Sequence, residues 1–150
     1  MAAKIMRKMA LLALVETVVG TAVVPLAANA MLVSDVTLTP IEGDVVERNN
    51  IRPFFGSSGS TLVTEYQKVA FSVEFAGVAA AGERPGVTDL LRACAASAST
   101  ETGVKTVFSP VTDGIQSVTI YGNVDGTLYK MHGARGEVEF STDAKAIPKW

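Results

Sequence analysis

Cysteine and histidine are almost missing from this chain: Cys94 and His132 are the single examples in 150 residues. One thiol excludes an internal disulfide, and so small a stock of sulfur and imidazole excludes the His/Cys clusters that hold zinc. Charge is sparse as well, at 19% of residues, with 13 basic side chains against 15 acidic ones and a net charge of −2. A chain without a basic surplus has no footprint for gripping nucleic acid by counterion release. Long apolar runs are also lacking. Met9 to Val15 is closed by Glu16, and Thr17, Gly20, Thr21 and Pro25 dilute the hydrophobicity of the next segment. No uninterrupted stretch therefore reaches the roughly 18 residues of a membrane-spanning helix.

What is present is a hydrophobic fraction of 48% and a mean hydropathy of +0.30, enough apolar surface to exclude a disordered chain. The length suits one domain, 1–150. Lys4, Arg7 and Lys8, the run Met9 to Val15 and the Ala28-Asn29-Ala30 ending imitate a secretory signal. The competing reading makes Met9 to Val15 a core element, helix or buried strand, because so short a run carries no decisive period.

The remainder reads as β-structure. Val36 and Leu38 alternate with polar neighbours in a strand ending near Pro40, and Val69, Phe71, Val73 and Phe75 do so again. Between them, about 42–64, polar residues, Pro53 and a Gly/Ser tract spell a long loop around the apolar group Ile51, Phe54 and Phe55. Ala76 to Gly86 is a glycine-rich link. Thr88 or Gly86 is placed to cap a helix from about Asp89 to Ala96. Strands at Thr106 to Phe108, Ser117 to Tyr121, Thr127 to Met131 and Gly136 to Ser141 come next, with the hairpin dipeptide Asp125-Gly126. The expected fold class is mainly β (α+β): an antiparallel β-sandwich or half-open barrel with one short flanking helix.

No catalytic set emerges. His132 lacks a nucleophile to orient and a group to orient it, and reads as a surface residue of a strand end. Cys94, among Leu91, Ala93 and Ala95, reads as a small buried hydrophobe. Gly133-Ala134-Arg135-Gly136 lacks the lysine and context of a phosphate loop. Neither a catalytic residue, a metal ligand nor a cofactor is expected, and a small enzyme is the weakest of three readings.

The order of short signatures along the chain resembles bacteriophage tail tube proteins. The segments are Leu11-Leu12-Ala13-Leu14-Val15-Glu16-Thr17 with Gly20-Thr21, Ala27-Ala28-Asn29-Ala30, Leu38-Thr39-Pro40, Glu47-Arg48 and Ile51-Arg52-Pro53-Phe54-Phe55-Gly56. Leu90-Leu91-Arg92-Ala93-Cys94, Phe108-Ser109-Pro110, Ser117-Val118-Thr119-Ile120-Tyr121, Asp125-Gly126 and Gly133-Ala134-Arg135-Gly136 continue the order over nearly the whole chain. Val18-Val19 departs from the pattern, standing where a more polar turn is expected. The resemblance implies a virion protein that assembles in the host cytoplasm as a homo-oligomer, with hexameric rings stacking into a tube. Tape measure and tail terminator proteins are its implied partners, and DNA passes through the lumen without specific binding.

On that reading the loop residues Arg48, Ile51, Arg52, Phe54 and Phe55 form an assembly element that orders against a neighbouring subunit. Glu137 and Glu139, sharing a strand face while Val138 and Phe140 point to the core, are candidates for an acidic lumen wall, with Glu74 a further one. The rival is a secreted or periplasmic β-sandwich binding module whose residues 1–30 form a cleaved signal.

Overall fold

The computed structural model describes residues 9–48, 50, 51, 53, 55, 56, 58–141 and 149. Among the described residues the chain is mainly β with one short α-helix, and its antiparallel sheets fit a β-sandwich. It divides into two compact units, one made of residues 1–34 and 72–150, the other of Asp35–Phe71.

The first unit is built on a four-stranded sheet. Met9–Val15 is β1, and the short strand Ala30–Met31 is β2. Val118–Val124 and Thr127–Ala134 form the last two strands, β9 and β10, in the spatial order β10-β9-β1-β2. The apolar run that composition leaves undecided between helix and strand is thus an interior strand. Leu11 pairs with Gly122, Ala13 with Ile120 and Val15 with Val118, while Met131 of β10 stands opposite Ile120. Directly opposed residues of antiparallel strands share a face. Leu11, Ala13, Val118, Ile120, Val124 and Met131 accordingly form one buried face. Helix α1, Thr88–Ala93, packs against β1 and β9 and contributes Leu91 and Ala93 to the same core.

The expected helix is present but shorter. Its N-cap is Val87, and the Thr88 hydroxyl donates to the Pro85 carbonyl instead of capping. Ala95 adopts a left-handed φ of 59°, which ends the helix, and Ala96–Glu101 becomes β7, paired with β8, Lys105–Pro110. Asp125 and Gly126, at φ 43° and 81°, make the two-residue turn that their chemistry predicts between β9 and β10.

The second unit contains most of β3, Val33–Glu42, paired with β6, Tyr66–Val73. The strand does not stop at Pro40. A two-stranded sheet has only edges, where proline removes no ladder hydrogen bond. The stretch read as a loop also contains regular structure: β4, Val45–Glu47, and β5, Ser60–Leu62, form an antiparallel ribbon. Gly43 sits at its base, where a Cβ would collide with the Thr64 carbonyl oxygen.

Candidate functional site

Two features stand out: a buried carboxylate in the first unit and an exposed apolar arm in the second.

Glu16 directly succeeds β1 and is only 3% exposed. Its parity with Leu12 and Leu14 puts it on the sheet face opposite the core, where Thr119 stands across from Leu14. Its backbone N–H donates to the Ser117 carbonyl at 2.9 Å, prolonging the β1–β9 ladder. The carboxylate takes four hydrogen bonds. Oε2 accepts from the Ser117 hydroxyl at 2.5 Å and the Gly20 N–H at 2.7 Å. Oε1 accepts from the Thr119 hydroxyl at 2.8 Å and the Gly133 N–H at 2.7 Å.

The last donor reaches Glu16 because β10 bulges. Met131 faces Ile120 and Ala134 faces Val118, so β10 carries one residue too many between those pairs. Gly133, at φ 66°, turns its N–H out of the ladder. One side chain thereby ties the ends of β1, β9 and β10 to the loop after β1. Burial pushes the carboxyl upward, but the bonds from Gly133, Ser117, Thr119 and Gly20 together outweigh it and lower its pKa from 4.5 to about 2. Sequence reading treats Glu16 as an interruption of an apolar run and a member of one signature segment, and gives it no role as a site, because its partners Ser117, Thr119 and Gly133 lie about a hundred residues away in the chain.

The loop Thr17–Leu26 folds over this polar face. Val23 N–H donates to Thr119 Oγ1 at 3.2 Å, and Pro25 is buried.

The arm runs from β4 through residues 48–59 to β5, closed by Arg48 N–H donating to the Gly59 carbonyl at 3.1 Å. Every residue of both strands is exposed, Arg48 among the flanking ones. Ile51 and Phe55 are the most exposed large apolar side chains among the described residues, at 104% and 108%. Arg52 and Phe54, also expected in this element, lie outside the described residues.

The acidic candidates meet a correction. Gly136 to Ser141 is extended backbone without a ladder, apart from an isolated bridge at Ser141. Val138 and Phe140 do not point to the core: they are 44% and 52% exposed, and Glu137 and Glu139 are exposed beside them. With no ladder assigned to Gly136–Phe140 among the described residues, alternation has no buried side to select. Phe140 instead meets the half-exposed Phe75 edge-on, centroids 5.8 Å apart, while the backbone of Lys149 forms isolated antiparallel β-bridges with Glu74 and with Ser141. These contacts bring exposed Glu74 beside the segment that carries Glu137 and Glu139.

His132 is exposed on β10. Cys94 is half-buried instead of buried, and burial, reinforced by the Glu137 charge, pushes its thiol pKa upward. Among the described residues no group of three His, Cys, Asp or Glu is placed to hold a metal, and no helix is long and apolar enough to cross a membrane.

In comparisons with known proteins, no family model, no curated protein and no solved structure matches the chain.

Proposed function

We propose that the chain is a self-assembling structural subunit of a bacteriophage tail tube, forming rings, hexameric on the resemblance, that stack into a conduit for DNA. The observation that carries the reading is the arm. An isolated two-stranded ribbon is marginal in water, and this one holds Ile51 and Phe55 wholly in solvent. Burying such a side chain is worth about 1.5–3 kcal/mol, which a neighbouring subunit can supply. Unpaired strand edges suit the same role. Tape measure and terminator proteins remain the partners that the resemblance implies.

The position of β1 favours this reading over a secreted binding module. Cleavage after Ala30 would take β1 from between β9 and β2, and with it Leu11, Ala13 and Glu16.

Deleting Arg48 to Ser60 tests the proposal. The variant is expected to keep its far-ultraviolet circular dichroism and to lose the polymers seen by sedimentation and negative-stain microscopy. Tubes formed by it would remove the arm from assembly.

Glu74, Glu137 and Glu139 are the proposed acidic patch of the lumen wall, where each inward cation would otherwise add a phosphate trap. Particles carrying Glu137→Lys with Glu139→Lys should eject DNA slowly at low salt and recover as salt rises. Unchanged ejection at low salt places these residues elsewhere.

A further inference from the structure

We propose that the loop Thr17–Leu26 is the seat on which the arm of a second copy docks, an inference that rests on the self-assembly reading above. From Thr17 to Ser34 no charged side chain occurs. Within this stretch Val18, Val19, Val24 and Leu26 are 62%, 57%, 68% and 67% exposed. Exposed irregular segments are ordinarily polar, with turn residues meeting the needs of the backbone. Here the backbone is held and the apolar side chains are turned out.

Gly20 N–H is fixed to Glu16, Val23 N–H to Thr119, Thr21 N–H to the Val18 carbonyl at 2.9 Å and Leu26 N–H to Asn29 Oδ1 at 2.9 Å. A surface ordered in advance loses little conformational freedom when it is covered.

The choice of occupant rests on symmetry and charge. Rings and stacks need heterologous contacts, in which two different surfaces of one chain meet on successive copies. The arm tip supplies the other surface, with Ile51 and Phe55 fully exposed. An apolar tip on an uncharged seat desolvates no ion of that seat.

The test uses the full chain with Cys94→Ala, so that introduced thiols are the only ones. V19C mixed with N50C, which leaves Ile51 and Phe55 in place on the arm, should form an intermolecular disulfide about tenfold faster than V104C mixed with N50C, because docking raises the effective thiol concentration. Val104 is an equally exposed valine in the β7–β8 turn. In parallel, V18D with V24D should abolish polymers while the urea midpoint of the monomer stays within error, as befits exposed positions. Cross-linking no faster than the control overturns the proposal. So does normal polymer from V18D/V24D when F55D blocks it: the seat then falls and self-assembly stands. A parent chain that stays monomeric at every concentration overturns both.

Discussion

Replacing Glu16 by glutamine keeps the shape of the side chain and removes its charge and one acceptor. The amide nitrogen must face either the Gly20 pair or the Gly133 pair of donors. A hydroxyl can rotate to accept from it, but a backbone N–H cannot. Whichever way the amide lies, either the Gly133 N–H or the Gly20 N–H loses its carboxylate acceptor, Gly20 keeping only a longer 3.4 Å contact to Ser117 Oγ, and the remaining bonds lose their charge assistance. The displacement of the carboxyl pKa from 4.5 to about 2, caused by these same bonds, corresponds to about 3 kcal/mol of stability at neutral pH.

Because the folded pKa lies below the unfolded one, that contribution is complete above 4.5 and is lost as pH falls towards 2. The gap in unfolding free energy between the parent chain and Glu16→Gln should therefore be about 3 kcal/mol at neutral pH and about 1 kcal/mol near pH ~2.5. Urea titrations followed by circular dichroism at one fixed low protein concentration, so that assembly does not contribute, measure both. A gap that does not change with pH, or one well under about 1 kcal/mol at neutrality, would refute the role assigned to the carboxylate.

Ala95→Gly should stabilise the fold by about 0.5–1 kcal/mol in urea titration, since release of the left-handed strain at φ 59° exceeds the added entropy of the unfolded chain. Alkylation of Cys94 should be slow at neutral pH, and Glu137→Gln should accelerate it at low salt by removing the smaller of the two causes that raise the thiol pKa. Gly43→Ala should open the base of the arm, seen as faster proteolytic cleavage between residues 44 and 64 with α1 and the four-stranded sheet intact by circular dichroism.

Local chemistry made much of this fold readable. Asp125-Gly126 specifies its turn without help, and Val69 to Val73 alternates because one side of β6 is more covered than the other. β7 escapes notice because Ala-Ser-Ala-Ser-Thr-Glu offers small side chains and almost no hydrophobic contrast, its pairing being supplied by β8. β4 and β5 escape for a different reason: both faces of the ribbon are wet, so no period of two is imposed on them. Gly136 to Ser141 errs the other way, an alternating segment with no ladder to give its pattern meaning. Of the proposed assembly element, Ile51 and Phe55 are legible as apolar residues in polar surroundings. The proposed seat is not, since nothing local shows that Glu16 and Thr119 hold the backbone around Val18, Val19 and Val24 with their side chains outside.

The pairing of β1 with β9 has a consequence for the order in which the protein folds. Leu11 meets Gly122, so β1 leaves the ribosome long before its partner β9 is made. The hairpins β7–β8 and β9–β10 close on local contacts, whereas insertion of β1 bears the closure entropy of the whole intervening chain and becomes the slow step. Until then Met9 to Val15 has only its short local pairing with β2, and its other edge is an apolar segment open to aggregation during synthesis. The Glu16 carboxylate can gather its donors only when β1, β9 and the bulge of β10 are all in place. Its protection from protons is thus a marker of completed folding, acquired after the hairpins have formed.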